Sequence, residues 1–481
     1  MQNSDMKSRV MSGLAWKFAE RISAQLVTFI VTIILARILD PAHYGAIAIV
    51  NIFITLANVF VVSGFGNSLI QKKDSDDTDF SSVFYVNIAL SLVLYALVFV
   101  AAPYIAHFYD MEILSPVLRV MGIRLIIAGI NSVQHAYVSK KMLFRRFFWS
   151  TLGGTLVSGV VGIIMAYKGY GIWALAAQYM VNTTVDTVVL FITVKWYPKL
   201  SFSIKRLKSL FSYGWKLLMS ELLETGYNEL RSLLIGKMYT SEDLAYYNKG
   251  KSFPALVVTN INSSINSVLF PAMAQCQDKK EVVKSMCRRA IRTSSYIMFP
   301  FMVGLALVAE PFVKLLLTDK WLPCVPFLRI ACFSIILRPV HTANLQAIKA
   351  MGRSDIFLKL EIIKKVLGLT LLICVARFGV LAICISALVV AILNSFINAF
   401  PNKKLINYSY IEQMKDLTSS FLPLIAMSVS VYIVGMFLHP PLLQITAQML
   451  VGAFVYILIS AITKNETFNY IFSVVKGFLK K

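Results

Sequence analysis

Apolar windows of about 19 residues recur along this chain, and no other feature restricts its fold so severely. A stretch of roughly 20 apolar residues spans the ~30 Å hydrocarbon layer of a bilayer as one helix. Inside that layer every backbone N–H and C=O must find its partner within the protein, which leaves helices or closed barrels. The windows lie near 14–38, 42–65, 80–103, 115–138, 148–167 and 172–194, then 213–236, 250–272, 293–317, 324–348, 356–376 and 378–400, and finally 418–438 and 443–463. The reading is an all-α membrane protein with fourteen transmembrane helices. Fourteen helices of about 22 residues use roughly 308 residues, so no sizeable aqueous domain fits between them. Hydrophobic residues make up 57% of the chain and charged residues 15%, against about 45–50% and about 25% in soluble domains. A soluble protein and a membrane-anchored enzyme with a large soluble head are both excluded.

Basic residues test the count. Lys and Arg total 47 against 24 Asp and Glu, a net charge of +23, and such an excess belongs first to cytoplasmic loops. With the N-terminus inside, the inside segments hold 28 basic residues, including Lys7, Arg9, Lys72 and Lys73, while the outside loops hold only Lys168, Lys237, Lys249, Lys320 and Arg377. A wrong number of crossings would mix these populations. Both termini are therefore expected in the cytoplasm, and nucleic-acid binding is not indicated. The N-terminal run is interrupted by Lys17, Glu20 and Arg21 and lacks a small-x-small cleavage site, so it reads as a retained first helix.

Several chemistries drop out. The six cysteines form no CxxC pair, and the histidines at 43, 107, 135, 341 and 439 form no HExxH, so no metal site or disulfide framework is signalled. Gly250-Lys251-Ser252 resembles the end of a phosphate-binding loop, but position 245 is Ala where that loop needs glycine. The segments 195–214 and 275–292 alternate basic and apolar residues at helical spacing, as does the tail from Lys464. They read as amphipathic helices on an anionic membrane surface, with docking of an assembly protein as the alternative.

The first six spans resemble the next six. Trp16-Lys17 and Trp215-Lys216 open spans one and seven at an offset of 199; Pro103 and Pro311 close spans three and nine at 208; Pro116 and Pro326 begin spans four and ten at 210. Offsets that grow in chain order indicate a duplicated unit. The expected organisation is an N-terminal six-helix lobe with its linker at 1–212, a second six-helix lobe at 213–400, and two further spans with an amphipathic tail at 401–481. Since six is even, the lobes should be related by a pseudo-two-fold axis along the membrane normal, with alternating access across the cleft between them.

An ionisable group at bilayer depth costs on the order of 2.5–3.5 kcal/mol and normally faces water or a partner. Arg124 lies about nine residues into span four and Arg338 about fourteen into span ten, at similar levels of repeat-related helices. They are the leading anion-binding candidates, followed by Arg21, Arg231 and Lys364. Glu221 and Glu224, at mid-depth of span seven, are candidates for ion coupling, with salt bridges to Lys216 or Arg231 as the structural alternative. Asn131, Gln134, His135, His341, Asn344 and Gln346 share spans four and ten and suit a wet, sugar-accommodating wall or interhelical hydrogen bonds.

At LARILDPAHYG (35–45) and GFGNSLIQK (64–72), and again at VLFPAMAQCQD (268–278), the chain resembles the polysaccharide transporter family of the multidrug/oligosaccharidyl-lipid/polysaccharide flippase superfamily, near the colanic-acid and teichuronic-acid exporters. The resemblance implies a flippase that moves an undecaprenyl-diphosphate-linked oligosaccharide from the inner to the outer leaflet of a bacterial cytoplasmic membrane. It implies a cationic cavity between two lobes, resetting by a proton or sodium gradient, and no cofactor. Arg37, Asp40, Tyr44, Gly45, Gly66, Asn67 and Gln71 carry over as gating or structural positions. The implied partners are the lipid-linked oligosaccharide, membrane lipids and polysaccharide assembly proteins. A multidrug antiporter of the same superfamily is the alternative within transport, though cationic drugs would be repelled by clustered arginines. A glycan polymerase or ligase would need an outside loop larger than the dozen or so residues available here.

Overall fold

The computed structural model describes residues 2–72 and 74–479. Lys73, Lys480 and Lys481 lie outside the described residues, as do the side chains of Lys7 and Arg9, so their share of the basic count is not traced further. All regular structure among the described residues is helical. The chain divides into two compact units, Met1–Ala245 and Tyr246–Lys481.

The first unit contains α1 (Gln2–Ile38), α2 (Pro41–Val62), α3 (Phe65–Gln71), α4 (Asp77–Phe108), α5 (Leu114–Lys141), α6 (Phe144–Tyr167), α7 (Ile172–Val194) and α8 (Ile204–Met238). The unit boundary falls early in α9 (Ser241–Ala274). The second unit continues with α10 (Lys280–Leu307), α11 (Ala309–Leu317), a 3-10 turn, α12 (Val325–Ile335), α13 (Arg338–Ala350), α14 (Ser354–Val375) and α15 (Val380–Ala399). It ends with α16 (Asn402–Leu405), α17 (Tyr410–Thr418), α18 (Phe421–Phe437), α19 (Pro441–Ile462) and α20 (Glu466–Leu479).

Among the described residues ten stretches of helix are long and apolar enough to cross a bilayer, and α17 with α18, bent by 50°, brings the number to eleven if the pair is one broken span. Three expected spans fall on helices that are long but more polar: α8 with 35 residues, α9 with 34 and α14 with 22. At 1.5 Å per residue even α14 reaches about 33 Å, enough for the hydrocarbon layer. The in-span charges Lys216, Glu221, Glu224, Glu229 and Arg231 on α8, and Lys359, Glu361, Lys364 and Lys365 on α14, are what lower their hydropathy.

Span ten is not one straight helix. It breaks after Ile335 and restarts at Arg338, where Pro339 occupies the first turn of α13. A proline ring removes one N–H and collides with the preceding turn, so an uninterrupted helix through this point is disfavoured. The segment 195–214 also departs from a simple amphipathic helix. Residues 195–203 are non-helical, with Lys195 at a φ of 54° and Pro198 following, and helix begins only at Ile204. From there α8 runs unbroken through span seven.

Within each unit the helix pairs follow one scheme. In the first, α4 packs on α5, α6 on α7 and α5 on α7; in the second, α10 packs on α12 and α13, α14 on α15, and both α12 and α13 on α15. Small residues allow the close approaches that apolar helices need in lipid. A Cβ on Gly129 of α5 would stand 2.6 Å from Ser91 Oγ of α4, and one on Gly154 of α6 would stand 3.0 Å from the Asn182 carbonyl of α7. Exposed Val93, Leu97 and Val100 on α4, and Leu450 and Phe454 on α19, present the apolar surface that a bilayer would cover.

The connecting segments sort into two sets. In the first unit Lys72 bonds Asp79 at 2.6 Å, Lys140 donates to Ser75 and to the Lys72 carbonyl, Lys199 pairs with Asp77 at 2.6 Å and Arg206 with Asp76 at 2.5 Å. All of these join segments assigned to the inside. At the other ends Lys237 meets Asp110 at 3.3 Å, and a Cβ on Gly171 would stand 2.9 Å from His43 Nε2. In the second unit Lys284 pairs with Glu412 at 3.1 Å, Arg288 and Arg292 with Asp416 at 2.5 and 3.2 Å, and Arg292 with Glu466 at 2.7 Å. The basic run 275–292 is thus largely the first turns of α10, held to the acids of α17 and α20. Tyr408 donates to Asp416 at 2.8 Å, and Asn344, Gln413 and Asn402 exchange buried amide bonds of 2.6 to 3.0 Å beside it. Burial, then the Asp416 contact, pushes the Tyr408 hydroxyl upward from its ordinary range.

Candidate functional site

Three polar constellations sit among the helices of the first unit. Arg124 of α5 is half-buried, and its Nε donates to Thr183 Oγ1 of α7 at 3.2 Å. Its Nη1 reaches Asn51 Oδ1 of α2 at 3.4 Å, and the guanidinium lies 5.1 Å from the Tyr179 ring centroid. The Thr183 hydroxyl is oriented to accept, because its own proton goes to the Tyr179 carbonyl at 3.1 Å. Every partner is neutral. The positive charge is held in place without being cancelled, and a guanidinium so held keeps its fork for an anion.

The second constellation is acidic. Asp186, one helical turn beyond Thr183, takes Asn131 Nδ2 at 2.7 Å and His135 Nε2 at 3.1 Å, both on Oδ2. Its Oδ1 and the Asn131 Oδ1 are buried with no hydrogen-bond partner among the described residues. The third lies on α1 and α6: Lys17 pairs with Glu20 at 2.9 Å, and Thr151 donates to Glu20 Oε1 at 3.1 Å. Arg21 is exposed on the same helix. Phe147 links the last two groups, with Lys17 4.8 Å from its ring centroid and the His135 ring tilted against it at 4.9 Å.

On α8, Glu221 and Glu224 are both exposed, and Glu224 accepts from Asn228 at 3.2 Å. Arg231 is half-buried, and its Nε has no hydrogen-bond partner among the described residues. In the second unit Arg338 is exposed at the start of α13, near the break in span ten. Lys364 is buried and bonded to Glu361 at 2.6 Å. Both Lys364 and Arg338 lie close enough to His341 to act on it electrostatically, and His341 is 3.3 Å from Asn398. Thr342 and Gln346 of α13 bond Asn262 and Asn266 of α9 at 3.3 and 2.7 Å. In the first unit a cation is held by amide and hydroxyl groups, whereas in the second the amide pairs of α9 and α13 stand beside a lysine already paired with Glu361.

The sequence-motif residues occupy helix ends. Arg37 is exposed in the last turn of α1, and Asp40 is the exposed N-cap of α2, followed by Pro41 at its first helical position. Tyr44 is half-buried one turn later. Gly45 has a clear steric role, since a Cβ there would overlap the Ser241 carbonyl. Gly66 meets nothing within 4 Å, so close packing does not explain it, and Asn67 and Gln71 are exposed on α3. Glycine matters instead at Gly214 of α8, whose Cβ would run into the Gly64 carbonyl. Among the described residues no group of three or more His, Cys, Asp or Glu side chains is placed to hold a metal ion, and the cysteines are free thiols.

Residues 34–326 match the profile of a family described as polysaccharide biosynthesis protein. The chain belongs to that family. Among curated proteins it is 24% identical over 352 residues to the teichuronic acid biosynthesis protein TuaB of Bacillus subtilis, covering 72% of each chain. It is 23% identical over 440 residues to the lipopolysaccharide biosynthesis protein WzxC of Escherichia coli, covering 89% of each. Among solved structures it matches the lipid II flippase MurJ in an inward closed conformation, with a TM-score of 0.77 at 14% identity, over 94% of this chain and 99% of that one. An inward-facing multidrug transporter of the MATE family gives a TM-score of 0.62 at 15% identity, over 79% of this chain and 95% of that one. The fold is the one these transporters share.

For this family member, sequence reasoning singled out Arg124 but not Asn51, Thr183 and Tyr179 around it. It placed Asn131 and His135 together on span four without joining them to Asp186. Asp186 is the single acid in span six, a signal that was present. Its partners stand 51 and 55 residues away on another helix, and nothing in the sequence registers the two faces.

Proposed function

We propose that this chain is a flippase for a lipid-linked oligosaccharide, carrying an undecaprenyl-diphosphate-linked repeat unit from the inner to the outer leaflet of a bacterial cytoplasmic membrane. The observation that carries the reading is Arg124, a cation at mid-depth of an apolar helix whose partners are all neutral. A diphosphate supplies the missing negative charge, while its polyprenyl tail remains in lipid. Arg124 and Arg338 hold the diphosphate in this proposal, with Arg21, Arg231 and Lys364 as further cationic contacts. Glu361 already neutralises Lys364, which ranks that lysine below the arginines. The curated relatives named above belong to teichuronic acid and lipopolysaccharide biosynthesis, so transport of a glycan precursor is favoured over catalysis. A multidrug antiporter has the wrong sign of charge at Arg124.

Fourteen crossings fit the way the connections sort: segments assigned to the inside bond one another, and segments assigned to the outside do likewise. The recurring helix pairs support two six-helix bundles with a pseudo-two-fold along the membrane normal, joined by two added helices. Both termini are cytoplasmic in this scheme. Impermeant thiol reagents should therefore label Asp110→Cys and Lys280→Cys from opposite sides in a cysteine-free background, and labelling from one side would reject it. A proton or sodium gradient resets the cycle, with Glu221 and Glu224 as candidate coupling groups.

The test is reconstitution of the full chain in liposomes with an undecaprenyl-diphosphate-linked oligosaccharide in one leaflet. Arrival in the other leaflet is read by an impermeant glycosidase. Protein-dependent movement that Arg124→Ala abolishes is the expected result. Movement equal to that of empty liposomes rejects the function.

A further inference from the structure

A cavity of about 480 Å³ opens in the second unit among the end of α10, α11, α12 and the α18–α19 hairpin. Its charged lining is Glu310, Lys314 and Arg329, and its uncharged polar lining includes Tyr432, Gln444 and Gln448. The local sequence builds the floor. Gln448 is buried between α18 and α19, with its Nε2 donating to the Val431 carbonyl at 2.9 Å. Gly435 makes room for it, since a Cβ there would stand 2.5 Å from that nitrogen. Gln444, one turn earlier, donates to the Gly435 carbonyl at 3.3 Å. Pro441 starts α19 at the rim, about 10 Å along the helix axis from Gln448.

The charges at the rim are not locked to one another. Arg329 reaches Glu310 at 3.9 Å and Lys314 reaches Asp319 at 3.4 Å, with all four side chains close to half exposed or more. Exposed pairs at such separations hold little energy, so a ligand can replace either partner. Arg329 is steadied by its Nε, which donates to the Ala306 carbonyl at 3.2 Å in the last turn of α10. The first turn of α19 adds the positive end of a helix dipole. Two cations and one carboxylate thus face the same space, which suits a ligand with a negative and a positive end.

An apolar stripe leads away from the rim. Met436 and Tyr432 line the cavity, and Val429 and Ile425 follow them down α18 at helical spacing, all four exposed. Phe437, Leu442 and Leu443, exposed beside the turn between α18 and α19, widen that surface. A tyrosine at this level keeps its hydroxyl among headgroups and its ring against hydrocarbon. A molecule with a polar head in the cavity and chains on the stripe lies as a bilayer lipid lies.

We propose that this cavity binds one phospholipid with a phosphoethanolamine headgroup, its phosphate on Arg329 and Lys314, its ammonium on Glu310 and its acyl chains along α18. A phosphatidylglycerol supplies the phosphate but leaves Glu310 facing a group with no positive charge. A polyprenyl diphosphate brings still more negative charge past the same carboxylate. The zwitterion alone meets both signs of the lining. The site stands on the cavity and not on the flippase reading; the crossing scheme proposed above serves only to assign the lipid to the outer leaflet.

Native mass spectrometry of the full chain in detergent tests the site, with phosphatidylethanolamine, phosphatidylcholine, phosphatidylglycerol and undecaprenyl diphosphate titrated in turn. Wild type should retain one phosphatidylethanolamine about tenfold more tightly than each of the others, the scale of one charge-assisted bond. Phosphatidylcholine keeps the positive charge but has no N–H for Glu310. Glu310→Gln should therefore reduce the preference for phosphatidylethanolamine over phosphatidylcholine to within about twofold, and Lys314→Gln should weaken phosphatidylethanolamine about tenfold. Arg329→Gln should act as Lys314→Gln does. Because Arg329 also bonds the Ala306 carbonyl, thermal unfolding without added lipid checks that each variant is folded, and Lys314→Gln decides if Arg329→Gln is not. Equal retention by wild type and the folded variants means annular lipid only and overturns the site. Tighter retention of phosphatidylglycerol or undecaprenyl diphosphate overturns the headgroup assignment. Specific retention of phosphatidylethanolamine by a protein that moves no glycan lipid upholds the site and rejects only the flippase reading.

Discussion

Replacing Arg124 separates folding from substrate binding because its native partners are neutral. Arg124→Ala removes hydrogen bonds of 3.2 and 3.4 Å and a ring contact at 5.1 Å. No carboxylate is stranded by the change. Charge-assisted bonds to neutral acceptors at such lengths, with an exposed-type ring contact, sum to about 2 kcal/mol. The protein should therefore fold and melt only slightly earlier. A diphosphate oxygen about 4 Å from the guanidinium at an effective dielectric near 20 gains about 4 kcal/mol, roughly a thousandfold in affinity. Screening by water in an open cavity reduces the expected loss to about a hundredfold. Arg124→Lys keeps the charge without the fork and should recover only part of that loss. The assay pairs leaflet-to-leaflet transfer of undecaprenyl-diphosphate-linked oligosaccharide with thermal unfolding in detergent. Transfer within twofold of wild type in Arg124→Ala would refute the phosphate role, and a collapse in folding would show that the guanidinium is a structural post.

Other perturbations read the frame around the site. Asp416→Ala leaves Arg288, Arg292 and Tyr408 without their shared carboxylate; the arginines are part-exposed and keep Glu412 and Glu466, so the expected loss is about 2 kcal/mol rather than the 3–5 of a fully buried pair. An unchanged melting temperature would show that this network does not anchor α17. Gly45→Ala should prevent normal assembly by forcing a Cβ into the Ser241 carbonyl, whereas Gly66→Ala, with nothing within 4 Å, should express and fold normally. Equal behaviour of the two in size-exclusion chromatography would contradict the packing. The latch of 195–206 on the start of α4 should respond to pH at both extremes. Arg206, then the Asp79 backbone N–H, holds the Asp76 carboxyl below its ordinary range, so its contribution is present above about pH 4 and fades as pH falls through the lowered value. The hydrogen bond to Asp77 raises Lys199, whose contribution is present below about pH 10 and fades as pH rises through the raised value. Protection of the amides in 195–206, measured relative to their intrinsic exchange at each pH, should accordingly be flat near neutrality; a loss of protection between about pH 5 and 8 would point to a different group.

The fold was legible wherever one helix explains itself. Apolar windows mark most spans because burial in lipid is a property of each segment alone, and α2, α4, α15 and α19 match their windows closely. Features decided between segments were not legible. The window 324–348 hides the break before Arg338, although Pro339 is visible in it. The basic runs at 195–214 and 275–292 look like surface helices until the acids Asp76, Asp77, Glu412, Asp416 and Glu466 arrive from elsewhere in the chain.

The same distinction governs the charges at depth. Lys17 with Glu20, and Glu361 with Lys364, are three residues apart, and helical geometry alone brings such pairs together. Their in-span charges are explained without any ligand. Glu224 also accepts from Asn228 one turn away, a contact within its own helix. Arg124 and Asp186 differ from all of these because their partners come from other helices. For Arg124 those partners leave a full positive charge, and for Asp186 they leave one carboxylate oxygen unfilled. Uncompensated groups at membrane depth are costly unless something completes them during the working cycle. Under the proposed function an anion completes the first, and the α7 anchors of the two, Thr183 and Asp186, stand one turn apart on the same face of that helix.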